Sequence, residues 1–146
     1  MKRKRVIGTT REAIAAEEVE LGKKLPESFI TWLIENYGTD LDGVHIYPVS
    51  DPRDVRKTWE SLSHNLSHGW ASWLEVHEDS GYDFRHLLPF ADFGTGDYYC
   101  FDYSDLNTMG EPKVVHWSHE TAETEFRAEG FEEFTIRLED GDFEYD

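Results

Sequence analysis

Between Leu87 and Trp117 three aromatic and β-branched runs follow one another with only turn-forming residues between them. They are Leu87 to Phe93, Tyr98 to Tyr103 and Val114 to Trp117, and the first break carries Gly94 and Gly96. Parallel neighbours need a crossover of a dozen or more residues, usually a helix, and none is interleaved here. The chain is therefore expected to form an antiparallel meander. Along the second run Tyr99, Phe101 and Tyr103 fall on one face, with Tyr98, Cys100 and Asp102 on the other. One face is the more apolar, and that face is expected to cover the core.

Helical signals lie on both sides of the strands. Thr9 or Thr10 can cap a first helix over about residues 10–21, with Glu12 in capping-box spacing to Thr9 and Gly22 placed as a left-handed C-cap. Pro26 suits the first turn of a second helix, in which Phe29, Leu33 and Tyr37 recur every four residues beside Trp32 up to Gly38. Val44, Ile46, Tyr47 and Val49 read as a short strand. Asp51 and Pro52 are placed to start a third helix, with Val55, Trp59, Leu62 and Leu66 at helical spacing to about His68; residues 69–85 carry no decisive pattern. Phe131, Phe134, Thr135 and Leu138 at i, i+3, i+4, i+7 mark a closing helix, with Glu132 and Glu133 at its positive end. Helices, strands and a last helix make an α+β order. One domain over residues 1–146 is expected, with residues 1–5 and 139–146 as flexible ends.

At 146 residues, 38% hydrophobic and 14% aromatic, the chain has the material for one core and is not of disordered composition. No run approaches the roughly 20 apolar residues of a membrane helix, and the basic start leads into charged sequence, so a cytoplasmic location is expected. The single cysteine, Cys100, cannot form an internal disulfide, which agrees with a reducing compartment; it reads as a small buried side chain.

Charge is the strongest compositional signal. The formal net is -17, from 14 Lys and Arg against 31 Asp and Glu. Lys2, Arg3, Lys4 and Arg5 hold four of the basic residues, which leaves 10 for the rest of the chain. Such a surface repels nucleic acid and attracts basic partners at long range. From Asp92 onward, 16 acidic residues face only Lys113, Arg127 and Arg137.

Catalytic signals are weak. No G-x-S-x-G nucleophile turn is present, and FGTGDY is too short and wrongly placed for a phosphate loop. His64 and His68 are four apart on an expected helix, a spacing that suits a shared metal, but no glutamate base lies between them as in HExxH. His116 and His119, read along one strand, fall on opposite faces. Asp92, Asp97, Asp102 and Asp105 lack the regular spacing of a calcium loop. Glu18, beside the Ile14 and Leu21 stripe, needs a partner if buried. No enzyme activity, cofactor or metal is expected.

Three segments together resemble the SUKH superfamily, which includes bacterial immunity proteins against polymorphic toxins and a yeast cell-wall synthesis regulator. The first is Ile14, Glu18, Leu21, Gly22, Leu25, Pro26, Phe29 and Leu33, closing at Gly38. The second is Leu88, Pro89, Phe90 and Ala91, leading to Gly96, Asp97, Tyr99, Cys100 and Asp102. The third is Pro112, Val114, Val115, Trp117, His119 and Glu120, followed by Phe131 to Phe134. Residues 51–84 match nothing in that pattern, and Gly130 stands where a Ser often precedes the closing helix.

The resemblance implies an α+β fold with an amino-terminal helix pair, a meander sheet and a closing helix. It also implies action by binding, commonly to a cognate toxin domain that is often a nuclease; the acidic surplus adds the expectation that this partner is basic. A regulatory scaffold like the yeast relative is the alternative. Asp92, Asp97, Asp102, Asp105 and Glu120 lie in turns or at strand ends, where binding residues gather, and are the partner-binding candidates. For Asp97 and Asp102 the capping of a turn is an equal reading.

Overall fold

Thr10 starts the first helix, α1 (Arg11–Leu21), by accepting a hydrogen bond from the Ala13 amide at 3.1 Å. That satisfies one of the helix's unpaired N–H groups. Gly22 ends it at φ 72°, where a side chain would be strained, and donates its N–H to the Glu18 carbonyl. The Glu18 carboxylate then accepts the Leu25 amide at 2.7 Å and holds the turn into α2 (Glu27–Asn36). The partner sought for Glu18 is thus a backbone amide. It is Glu17 that is buried, accepting from the Ser63 amide at 2.9 Å.

The computed structural model describes residues 9–36, 41, 43–51, 56, 58–92 and 95–141. The expectations for residues 1–5, Tyr37, Gly38, Pro52, Val55, Phe93, Gly94 and the last five residues lie outside this set. After α2 come β1 (His45–Ile46), α3 (Leu62–Ser67), α4 (Gly69–Val76), β2 (Leu87–Asp92), β3 (Tyr98–Leu106), β4 (Pro112–Trp117), β5 (Thr124–Ala128) and α5 (Phe131–Glu139). The five strands lie in sequence order in one sheet, each antiparallel to its neighbour. The α+β meander and the closing helix stand as the sequence implies.

Three features differ from the sequence reading. Helix α3 begins at Leu62 rather than at Asp51. Ser61 accepts the His64 amide and Glu17 takes the Ser63 amide, so two side chains define the start. Upstream, Thr58 bonds the backbone of Asp51 and Trp59 stands 61% exposed, away from any apolar stripe. Second, β5 was not anticipated: TEFRA is an edge strand, largely exposed, and lacks an apolar run. Third, both faces of the sheet are covered.

That last difference sets the core. In β3, Tyr98, Tyr99, Cys100 and Phe101 are all buried, so alternation does not separate inside from outside. On one face Phe90, Tyr99 and Phe101 meet Phe29 of α2 and Phe131 and Phe134 of α5, with Phe90 and Phe101 stacked at 4.2 Å. On the other, Tyr98 and Trp117 meet Trp70 of α4, a helix the sequence left unassigned. Trp73 and Phe84 complete that cluster. Cys100 is fully buried, and burial pushes its thiol well above the usual range.

Trp117 is fully buried between β4 and these rings. Trp117→Ala should cost about 3 to 5 kcal/mol, read as a lower urea midpoint. An unchanged midpoint would contradict its place at the centre of the second aromatic cluster.

Candidate functional site

The antiparallel register sorts the acidic candidates along the sheet. Asp92, the last residue of β2, pairs with Tyr98, the first of β3, and Tyr98 pairs with Trp117, the last of β4. Asp92, Asp97 and Glu120 therefore gather at one end of the sheet. Asp105 lies eight residues beyond Asp97 along β3, about 25 Å away at the strand rise. Asp102 falls between.

Their surroundings differ. Asp92 accepts the Tyr47 hydroxyl at 2.5 Å, and burial together with that carboxylate raises the phenol's pKa far above its ordinary value. Asp102 accepts from the Ser104 amide and hydroxyl, closing a local turn, and His86 approaches it at 4.0 Å. Asp105 is exposed and pairs with Lys113 at 3.1 Å. Glu120 is exposed in the turn after β4.

Asp97 is the centre of a cluster that the sequence reading took apart. Strand β4 stops at Trp117, and Ser118 accepts the Ala122 amide at 2.7 Å, folding the chain back. His119 thus leaves the strand, and its expected place opposite His116 does not arise. Both imidazoles reach the same carboxylate: His116 Nε2 lies 2.7 Å from Asp97 Oδ2, and His119 Nδ1 lies 2.5 Å from Oδ1. The His119 amide also donates to Oδ1 at 2.9 Å. Burial alone would raise the Asp97 pKa, but the His119 amide and the two imidazoles together hold it below the usual carboxylate value.

The donors around the cluster assign its protons. Arg127 Nη2 lies 3.0 Å from His116 Nδ1, and a guanidinium only donates, so Nδ1 accepts and Nε2 carries the hydrogen that faces Asp97. His77 Nε2 lies 2.7 Å from the His119 carbonyl and must donate there. The Trp73 ring packs against the His119 ring at 5.0 Å. Gly96 makes this approach possible: its φ is 104°, and a Cβ would sit 3.1 Å from the His119 ring and 3.3 Å from Trp73.

Asp97 belongs to the second segment of the resemblance and His119 and Glu120 to the third, whereas Trp73 and His77 come from the stretch that carried no decisive pattern. No local signal links α4 to the turn after β4; tertiary contacts of Trp73 and His77 with Trp117 and His119 do. His64 and His68 stack at 4.1 Å on α3, and His68 Nδ1 bonds the His64 carbonyl. Among the described residues no three His, Cys, Asp or Glu side chains form a group that could hold a metal. No described helix is long and apolar enough to cross a membrane.

The model of the SMI1 / KNR4 family (SUKH-1) matches residues 8–137, nearly the whole chain. The chain belongs to that family. A crystal structure of a protein from Pseudomonas syringae pv. tomato is similar, with a TM-score of 0.55 and 20% identity, over 86% of this chain and 80% of that one. At that identity the likeness concerns the fold. Comparison with curated proteins returns no match. Membership in SUKH-1 supports an immunity-type or related domain, a class that works through protein partners such as toxins.

The Asp97 carboxyl titrates lower folded than unfolded, so its contribution to stability is complete above the ordinary value of 3.8 and is lost as pH falls through the lowered one. Asp97→Asn should therefore be less stable than wild type in urea titrations above pH 3.8, with the gap closing in acid. An equal gap at both ends would assign the loss to geometry alone.

Proposed function

We propose that this SUKH-1 chain is an immunity protein that binds and neutralises a cognate bacterial polymorphic toxin in the cytoplasm. Family membership over residues 8–137 is the observation that carries this reading, and the charge excess gives it a direction. The toxin surface is basic, as in a nuclease that must hold phosphates, and the acidic chain competes for it. Action is by occlusion, without catalysis or a cofactor.

The exposed Asp105, which Lys113 meets at one oxygen, and the exposed Glu120 make direct contact, while the less exposed Asp92, Asp97 and Asp102, whose oxygens accept intramolecular bonds, add to the field. Like-signed carboxylates at both ends of the sheet speed encounter with a positive surface, an effect that salt screens over about 10 Å. Affinity then depends on contacts made after docking.

Co-expression with the toxin encoded beside the gene tests the assignment: cells should survive with this chain and die without it. Asp105→Lys with Glu120→Lys should leave the melting temperature within a few degrees, slow association with that toxin about tenfold at low salt, and flatten its salt dependence. Unchanged rates would remove the acidic-surface mechanism while leaving the immunity reading in place.

A further inference from the structure

His119 is held at several points. Asp97 takes its Nδ1 edge and its amide, His77 donates to its carbonyl, the Trp73 indole packs against the ring at 5.0 Å, and Gly96, with no Cβ, leaves the space this approach needs. The turn that carries it includes Ala122 at φ 64°, a left-handed conformation that a non-glycine residue adopts at a cost of about 1 kcal/mol or more. Among the described residues Nε2 makes no hydrogen bond, and the ring is only partly buried. In the neutral ring with Nδ1–H directed at the carboxylate, Nε2 carries the lone pair. A fixed, reachable acceptor is the result.

We propose that this acceptor is a recognition point for an arginine side chain of the partner protein, a reading that rests on the proposed immunity function and specifies its contact. The site has what a guanidinium needs. His119 Nε2 accepts one of its N–H groups. The partly exposed indole of Trp73, 5.0 Å from the imidazole, puts an aromatic ring within reach of its plane. Glu120, the next residue and exposed, supplies the compensating charge. A lysine ammonium has no plane to stack and is more strongly hydrated, so arginine is favoured. Asp97 acts as a positioning residue, fixing the tautomer in the way a buried carboxylate orients a histidine in catalytic and metal sites.

The test uses the full-length protein and N-acetyl-arginine amide as the probe, with N-acetyl-citrulline amide as its neutral isostere. Imidazole nitrogen NMR should first show His119 protonated at Nδ1 with a free lone pair at Nε2. Arginine amide should then shift the His119 Nε2 and Trp73 indole signals saturably, at least about fivefold more than citrulline amide at the same concentration. His119→Ala should abolish the Trp73 shift. An Nε2–H tautomer, or equal shifts with citrulline, overturns the proposal, and neither readout needs a variant to fold. Survival of cells co-expressing the toxin is scored separately, so loss of arginine binding with intact protection removes this site and not the immunity reading.

Discussion

Burial of the first half of β3 on both faces is the constraint on which the rest depends. Four consecutive residues, Tyr98 to Phe101, are removed from water, so each face of the sheet needs its own cover. Helices α2 and α5 cover one side with Phe29, Phe131 and Phe134, and α4 covers the other with Trp70 and Trp73. Both covers are centred on this buried half of the strand. The far half of β3 accordingly runs out from under its cover, and Ser104 to Leu106 are exposed.

A chain this acidic uses many of its carboxylates as structural acceptors. Glu17 takes the Ser63 amide at the start of α3, and Glu18 takes Leu25 ahead of α2. Glu111 reaches from the β3–β4 hairpin to the amide and hydroxyl of Ser28, and Glu133 returns to the Glu129 amide before α5. Helix starts present unpaired N–H groups and a positive dipole end, so a carboxylate there is favourable where a lysine would not be. The excess charge therefore divides into carboxylates that accept intramolecular hydrogen bonds, at helix starts and at the strand ends, and carboxylates left on the surface. Only the second set is available to meet a partner.

The same logic links fold and site. Trp117 draws α4 onto the sheet, and α4 brings Trp73 and His77 to the turn after β4. Without α4, His119 would keep its bonds to Asp97 and lose its contacts with Trp73 and His77. The candidate recognition point is thus a product of the second aromatic cluster rather than of the loop alone.

The family was legible by resemblance; from its own residues the sequence determined the α+β class, the first helix stopped at Gly22, the helix after it, the antiparallel run of β2 to β4 and the closing helix. These follow from local rules: caps, turn residues and apolar periodicity act over a few residues and are written in them. The core residues Phe29, Leu33, Tyr99, Phe101, Trp117, Phe131 and Phe134 were legible for the same reason, and all are buried. What only the tertiary structure decided is which face each strand turns to, where α3 begins, and which side chains meet at the end of the sheet. Helix α3 is started by a glutamate 46 residues away, and His116 and His119 converge because a turn follows Trp117 and Asp97 waits across β3. Contacts between distant residues depend on the packing of the whole domain, and no local pattern encodes them.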